Sequence, residues 1–260
     1  MVQTRQNIRS TKPKPPSTTT SSIIEQAKES DQPPINEKPS NDLHISVQSM
    51  SKLYTDNTGR FPVRSWSGNQ YIMIVYHCNS NAILAQPFKT RADKHRMVAY
   101  NSIMQQLEDK GMLVDLQILD NEASKAYKQT ITPDWKIKFQ LVPPHIHQRN
   151  AAERAIRTFK AHFLAILAGV AHDFPKHCWD LLLPQAEMTL NLLRQAKLKP
   201  MISAYEFMEG PFDYNATPFG PLGCPIIIHK KTSQRHTWDF RGRNGWSLGA
   251  AMDRSLLRYY

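Results

Sequence analysis

A strand pattern, a proline pair and a long helical stripe follow one another between residues 137 and 170, and this succession constrains the fold most. In IKFQLV (137–142), Ile137, Phe139 and Leu141 fall on one side and Lys138 and Gln140 on the other, as a strand requires. Pro143-Pro144 stops it, because proline has no amide hydrogen to give a sheet. From Gln148 to about Val170, the residues Ala152, Ile156, Phe159, Phe163, Ile166 and Val170 advance in steps of three and four. That spacing predicts a helix with one face packed inward. Upstream, the apolar run LVDLQIL (113–119) predicts a buried strand that ends at the turn-prone pair Asp120-Asn121.

The preceding residues extend the same plan. KLYTDNTGRFPVRS (52–65) opens with a short strand that ends at Asp56. YIMIVYH (71–77) and AILAQPF (82–88), joined by Cys-Asn-Ser-Asn, predict a hairpin. Met97, Tyr100, Met104 and Leu107 then recur at helical spacing, with Gly111 as the stop, and core packing accounts for them. Ala123, Ala126, Tyr127 and Ile131 suggest a short helix after Asp120. Three strands, helix, strand, helix, strand, helix is an α/β order: a mixed sheet with flanking helices. WDLLLPQAEMTLNLLR (179–194) adds a helical pattern with Trp179, Leu182, Ala186, Leu190 and Leu193 on one face and a kink or restart at Pro184. A short helix over Ser203–Met208 follows. Beyond Gly210, PLGCPIIIHKK, RHTWDF and NGWSLGAAMD predict short strands of a small barrel.

Charge and composition narrow the partners. The 260 residues carry a net charge of +11. Residues 1–47 contribute six Lys/Arg and five acids and are rich in Pro, Ser and Thr. That tail has too little apolar surface to offset its ordering entropy and is expected to be disordered. The cationic excess therefore falls on residues 48–210, read as the folded α/β core, and 211–260, read as a small basic β-rich module. Such an excess suits a polyanion, with nucleic acid ahead of membrane. No apolar run nears the ~18 residues that a membrane helix needs. Cys78, Cys178 and Cys224 are odd in number and widely spaced, which fits a reducing compartment.

Three carboxylates stand out. Asp56 ends one strand, Asp120 ends another, and Glu153 sits near the start of the long helix. Carboxylates at strand ends and an early helical turn can meet over one cleft and hold Mg²⁺, a cation that prefers oxygen ligands. Spacing alone leaves another reading open: Asp56 in an Asx turn, Asp120 capping a helix, and Glu153 paired with Arg157. His145 and His147 alternate beside the same loop, where zinc would need a third ligand that the sequence does not offer. No glycine-flanked Ser or Cys elbow marks a covalent hydrolase.

The strand ending in Asp120-Asn121, the proline-containing link and Asn150-Ala-Ala-Glu153-Arg154 resemble the catalytic core of the retroviral integrase superfamily. The likeness is greatest to integrases of eukaryotic long-terminal-repeat retrotransposons and spans about residues 48 to 260. Glu153 lies 33 positions after Asp120 and Asp120 lies 64 after Asp56, in the order of that family's Asp, Asp, Glu triad. Glu122 and Ala151 stand where the family usually has glycines. The resemblance implies a ribonuclease H-like fold and an Mg²⁺-dependent (or Mn²⁺-dependent) polynucleotidyl transferase. It would process 3′ ends and join element DNA to target DNA, with Asp56, Asp120 and Glu153 as catalytic metal ligands.

The resemblance also places the basic residues four and seven after the Glu, Arg157 and Lys160, against DNA. Asn150 and Arg154 join them in the expected contact set. Lys230, Lys231, Arg241 and Arg243, beside Trp238 and Trp246, form a second expected contact region. The family's zinc module is not expected, since the tail holds only His44 and no cysteine. A homo-oligomer and nuclear work after cytoplasmic synthesis follow from the same resemblance. Two alternatives stay open: a non-enzymatic DNA-binding relic, and a ribonuclease H-type nuclease, a family that adds a carboxylate on the first long helix, where Glu108 and Asp109 lie only near the far end.

Overall fold

The computed structural model describes residues 50–119, 135, 137–141, 151–251 and 256–259, with side chains as far as 250. The expected tail, Asp120, the short helix after it, Pro143-Pro144, His145, His147 and Asn150 lie outside the described residues.

β1 (Lys52–Asn57), β2 (Tyr71–His77) and β3 (Ala82–Phe88) pair antiparallel. The hairpin has the limits that the apolar runs predict, and Asn81 takes its tight turn at φ 59°, a left-handed conformation that asparagine tolerates. α1 (Asp93–Asp109) crosses to β4 (Leu116–Leu119), which lies parallel to β1, and β5 (Lys138–Leu141) lies parallel to β4. The sheet order β3-β2-β1-β4-β5, with α1 on one face and α2 (Ala151–Gly169) on the other, is the ribonuclease H-like fold.

Alternation along β1 decides what faces each helix. Leu53 and Thr55 are buried toward α1, with Met73, Val75 and Leu119. Tyr54 packs toward α2 with Ile72, Ile74 and Tyr76, and Asp56 follows it at period two. The α1 layer holds a buried polar chain: Tyr100 Oη donates to Gln117 Oε1 (3.3 Å), and Gln117 Nε2 donates to Thr55 Oγ1 (2.7 Å). α1 stops where Gly111, at φ +67°, turns the chain. There Gly111 N–H donates to Glu108 C=O and Met112 N–H to Leu107 C=O, the paired bonds of a Schellman ending.

Several expectations are corrected. The strand expected over 113–119 is confined to Leu116–Leu119. Leu113 is 83% exposed, and Asp115 instead accepts the Ser51 N–H at 2.7 Å. Phe139, on the edge strand β5, is exposed rather than packed with Ile137. Leu193 is 79% exposed although it shares a helical period with buried Leu190, because α3 (Leu183–Leu192) ends before it.

A 3-10 turn, Lys176–Leu182, precedes α3, so Pro184 enters at a helix start where its missing N–H costs nothing. α3 lies along the outer edge of β3 and serves its backbone with side chains. Asn191 accepts the Ile83 N–H and donates to the Ile83 C=O, both at 2.9 Å. Glu187 Oε2 accepts the Ala85 N–H at 2.7 Å. α4 (Ala204–Glu209) follows, capped by Ser203 Oγ on the Glu206 N–H.

The C-terminal strands are β6 (Pro225–His229), β7 (Gly242–Ala251) and β8 (Leu256–Tyr259), antiparallel in that order. RHTWDF is a loop rather than a strand, and its Trp238 is 98% exposed. Leu222 and Leu248 join the cluster built on Phe163 and Trp179. Buried Gln185 fastens β7 there, accepting the Ala250 N–H (2.8 Å) and donating to Gly220 C=O (3.1 Å).

Candidate functional site

Parallel β1 and β4 end at the same sheet edge. Thr55 registers with Leu119, the last residue of β4, so Asp56 is the first β1 residue beyond that pair. On its other side Asp56 faces Ile74 of β2. In such sheets the carboxyl ends of parallel strands are where ligands gather. Asp56 is partly buried, and its Oδ1 accepts the Asn57 N–H at 2.7 Å. Asn57 Oδ1 is itself buried and has no partner among the described residues.

Glu153 lies in the first turn of α2 and is partly buried, at the margin of the stripe Ala151, Ala152, Ala155, Ile156 and Phe159. The stripe seats α2 against β1 and β2, on the sheet face that Asp56 shares with Tyr54. Tyr54 registers this proximity. Its pKa is raised by burial and by the Cys78 thiol, against the lowering influence of Lys197 and Arg154. α2 packs on β1, and Arg154 follows Glu153 in the first turn of α2.

Arg157 and Lys160 are exposed on α2 and follow Glu153 along one face. Arg154 is also exposed, on a different face, beside Thr158, Tyr76, Asn81, Arg194 and Lys197. Lys230, Lys231, Arg241 and Arg243 gather at the mouth of the β6–β7 hairpin. Lys230 N–H donates to the Arg241 C=O (2.9 Å), and Arg243 registers with Ile228. Lys231, Arg241 and Arg243 are exposed there.

Among the described residues no three His, Cys, Asp or Glu side chains form a metal-binding group. Two of the three expected ligands, Asp56 and Glu153, are described, and Asp120 is outside the described residues. The residues that sequence reasoning missed are Tyr76, Arg194 and Lys197 beside Arg154, and Glu187 beneath β3. None carries a periodic or motif signal, because their partners lie far along the chain.

No family model matches this chain, and no curated protein matches it. Similar solved structures include the catalytic core domain of BIV integrase, at 18% identity over 60% of this chain and 92% of that one, TM-score 0.43. The HTLV-2 integrase catalytic core domain in complex with magnesium, in its dimeric form, is 16% identical over 62% and 95%, TM-score 0.43. The simian T-cell lymphotropic virus intasome in complex with PP2A regulatory subunit B56 gamma is 14% identical over 76% and 68%, TM-score 0.46.

Proposed function

We propose that this chain is an integrase-type polynucleotidyl transferase that trims DNA 3′ ends and joins them to target DNA. The observation that carries the reading is the register of Thr55 with Leu119. It sets Asp56 at the end of β1 beside the strand whose last residue directly precedes Asp120, and consecutive Cα atoms are only about 3.8 Å apart. α2, with Glu153 in its first turn, packs on the face toward which Asp56 alternates.

Asp56, Asp120 and Glu153 are the residues that would hold Mg²⁺, or Mn²⁺ in its place. An all-carboxylate donor set suits such hard cations. When bound, the metal supplies activation of the attacking oxygen and stabilisation of the leaving one. The chain's own contribution is positioning. Asp56 stands at the end of β1 and Glu153 in the first turn of a packed helix, and the reading requires Asp120 to meet them there. Asn150, Arg154, Arg157 and Lys160 then hold backbone phosphates, with Lys230, Lys231, Arg241 and Arg243 as a second contact region. Such contacts supply affinity and register without reading sequence. Work on chromosomal DNA implies the nucleus, and joining paired ends implies a homo-oligomer.

The test is joining of labelled terminal-repeat DNA by the full chain with Mg²⁺ or Mn²⁺, beside Glu153→Gln and a disintegration substrate. Joined products that vanish in the variant support the reading. Metal-independent DNA binding without products on either substrate supports the non-enzymatic relic instead. Cleavage of an RNA–DNA hybrid alone supports a ribonuclease H.

A further inference from the structure

The side of α2 turned away from Arg157 and Lys160 borders a pocket of whose lining the proposed function uses only Arg154. Arg154 and Thr158 of α2, Tyr76 and Asn81 of the β2–β3 hairpin, and Arg194 and Lys197 after α3 line it. Three cations meet there, and among the described residues no carboxylate lines the pocket. The ion pairs recorded among the described residues, Arg96–Asp93 and Lys110–Glu209, lie elsewhere.

The pocket is built rather than incidental. Arg194 is half-buried, and its Nε and Nη2 donate to the Asn81 backbone C=O (2.8 Å) and side-chain Oδ1 (2.6 Å). Tyr76 Oη donates to the same Oδ1 at 2.9 Å. These bonds use two of the five guanidinium N–H groups and fix the plane of the rest. The Arg194 guanidinium carbon lies 6.0 Å, and Lys197 Nζ 5.2 Å, from the centre of the Tyr76 ring, within cation–π range. The Lys197 and Leu198 N–H groups both donate to Asn79 C=O at 3.1 Å, which ties the Lys197 loop to the hairpin. Burial lowers the pKa of Lys197, but Tyr76 and the Cys78 thiol outweigh it and raise the net value, so the ammonium stays charged.

We propose that Arg154, Arg194 and Lys197 form a subsite for one backbone phosphate of a nucleic-acid strand that lies across the start of α2. The planar guanidinium and the point-charge ammonium suit the two non-bridging oxygens of a phosphodiester. A nucleic-acid phosphate is favoured over a free one because Arg154 and Lys197 are exposed at the pocket, where a phosphate that is part of a longer strand can be reached from solvent. The assignment rests on the nucleic-acid reading above and adds a contact to it.

The experiment measures binding of the full chain to fluorescent duplex DNA by anisotropy in EDTA, so that catalysis plays no part. Lys197→Gln and the pair Arg154→Gln/Lys197→Gln are compared with Lys199→Gln, which removes an exposed charge two residues outside the pocket. The expected result for Lys197→Gln is a loss of affinity of about three- to tenfold. The slope of log K against log salt should also fall by about 0.9, one phosphate contact. Lys199→Gln keeps the wild-type slope. Equal effects of Lys197→Gln and Lys199→Gln, with wild-type binding intact, overturn the pocket alone. Absence of DNA binding by the wild type overturns both the pocket and the reading beneath it. Unchanged DNA binding, with inorganic phosphate raising the melting temperature of the wild type but not of Lys197→Gln, reassigns the pocket to free phosphate. Loss of self-association without loss of DNA binding reassigns it to carboxylates of a second copy. A chain that joins no ends yet shows the Lys197 effect keeps the pocket and sinks the catalytic reading.

Discussion

Replacing Glu187 by glutamine should expose a pH dependence that the wild-type protein conceals. Burial raises the Glu187 carboxyl from 4.5 to about 7, although the Ala85 N–H and Lys110 pull it down. The side chain keeps some accessible surface in a pocket beside Leu183, Pro184 and Tyr205. Dense protein around the carboxyl nevertheless governs its desolvation. A raised folded-state pKa means that the folded chain binds the extra proton. The contribution to stability is complete below 4.5 and is lost as pH rises through about 7. At about 1.4 kcal/mol per unit the ceiling is about 3 kcal/mol, and pocket water brings it nearer to about 2 kcal/mol. His77 works in the opposite sense. Burial lowers it from 6.5 to about 4, so its contribution is present above 6.5 and is lost as pH falls to about 4. Between 4.5 and 6.5 the two slopes oppose each other and nearly cancel. Glu187→Gln keeps an acceptor for Ala85 and removes one slope. Urea unfolding followed by tryptophan fluorescence should find the variant equal to wild type below pH 4.5. Above about pH 7 it should be more stable by about 2 kcal/mol. Profiles that stay parallel across that window would refute the argument.

Other outcomes follow from the same contacts. Asn191→Leu strands the Ile83 N–H and C=O on the sheet edge and should cost about 2–4 kcal/mol in urea unfolding. Gly249→Ala drives a Cβ into Gln185 Oε1 at φ +104°, and should lower stability by about 2–4 kcal/mol in the same assay. Asp56→Asn should reduce strand transfer by about a hundredfold or more, the several kcal/mol that a bound metal's charge supplies. Its melting temperature should stay at the wild-type value.

The parts of the molecule legible in the sequence are those whose pattern is local. β2 and β3 match their apolar runs residue for residue, since a buried hairpin leaves no freedom at its ends. α2 is legible from its stripe, though it is described only from Ala151. Asp56 and Glu153 were legible as candidates because strand ends and early helical turns can be counted. Local pattern misleads where a side chain is recruited from afar. LVDLQIL reads as one strand, yet Asp115 leaves the apolar register to hold Ser51, a residue 64 positions away. RHTWDF has strand composition, but nothing in composition tells that Trp238 and Phe240 stand in solvent. Glu187 and Asn191 look like the polar face of a helix and instead close the edge of β3, 102 and 108 positions away. The Arg194 pocket is hidden for the same reason, since 113 positions separate Arg194 from Asn81.

Leu222 and Leu248 share a hydrophobic cluster with Phe163, Phe174 and Trp179, and this ties the fate of the C-terminal strands to that of the central sheet. A chain cut after Gly210 would lose both leucines from that cluster. Gln185 would lose both backbone partners in the same stroke. The sheet and its C-terminal strands should therefore melt together in a single transition by calorimetry. Neither piece can be varied, exchanged or shed without renegotiating the interior of the other.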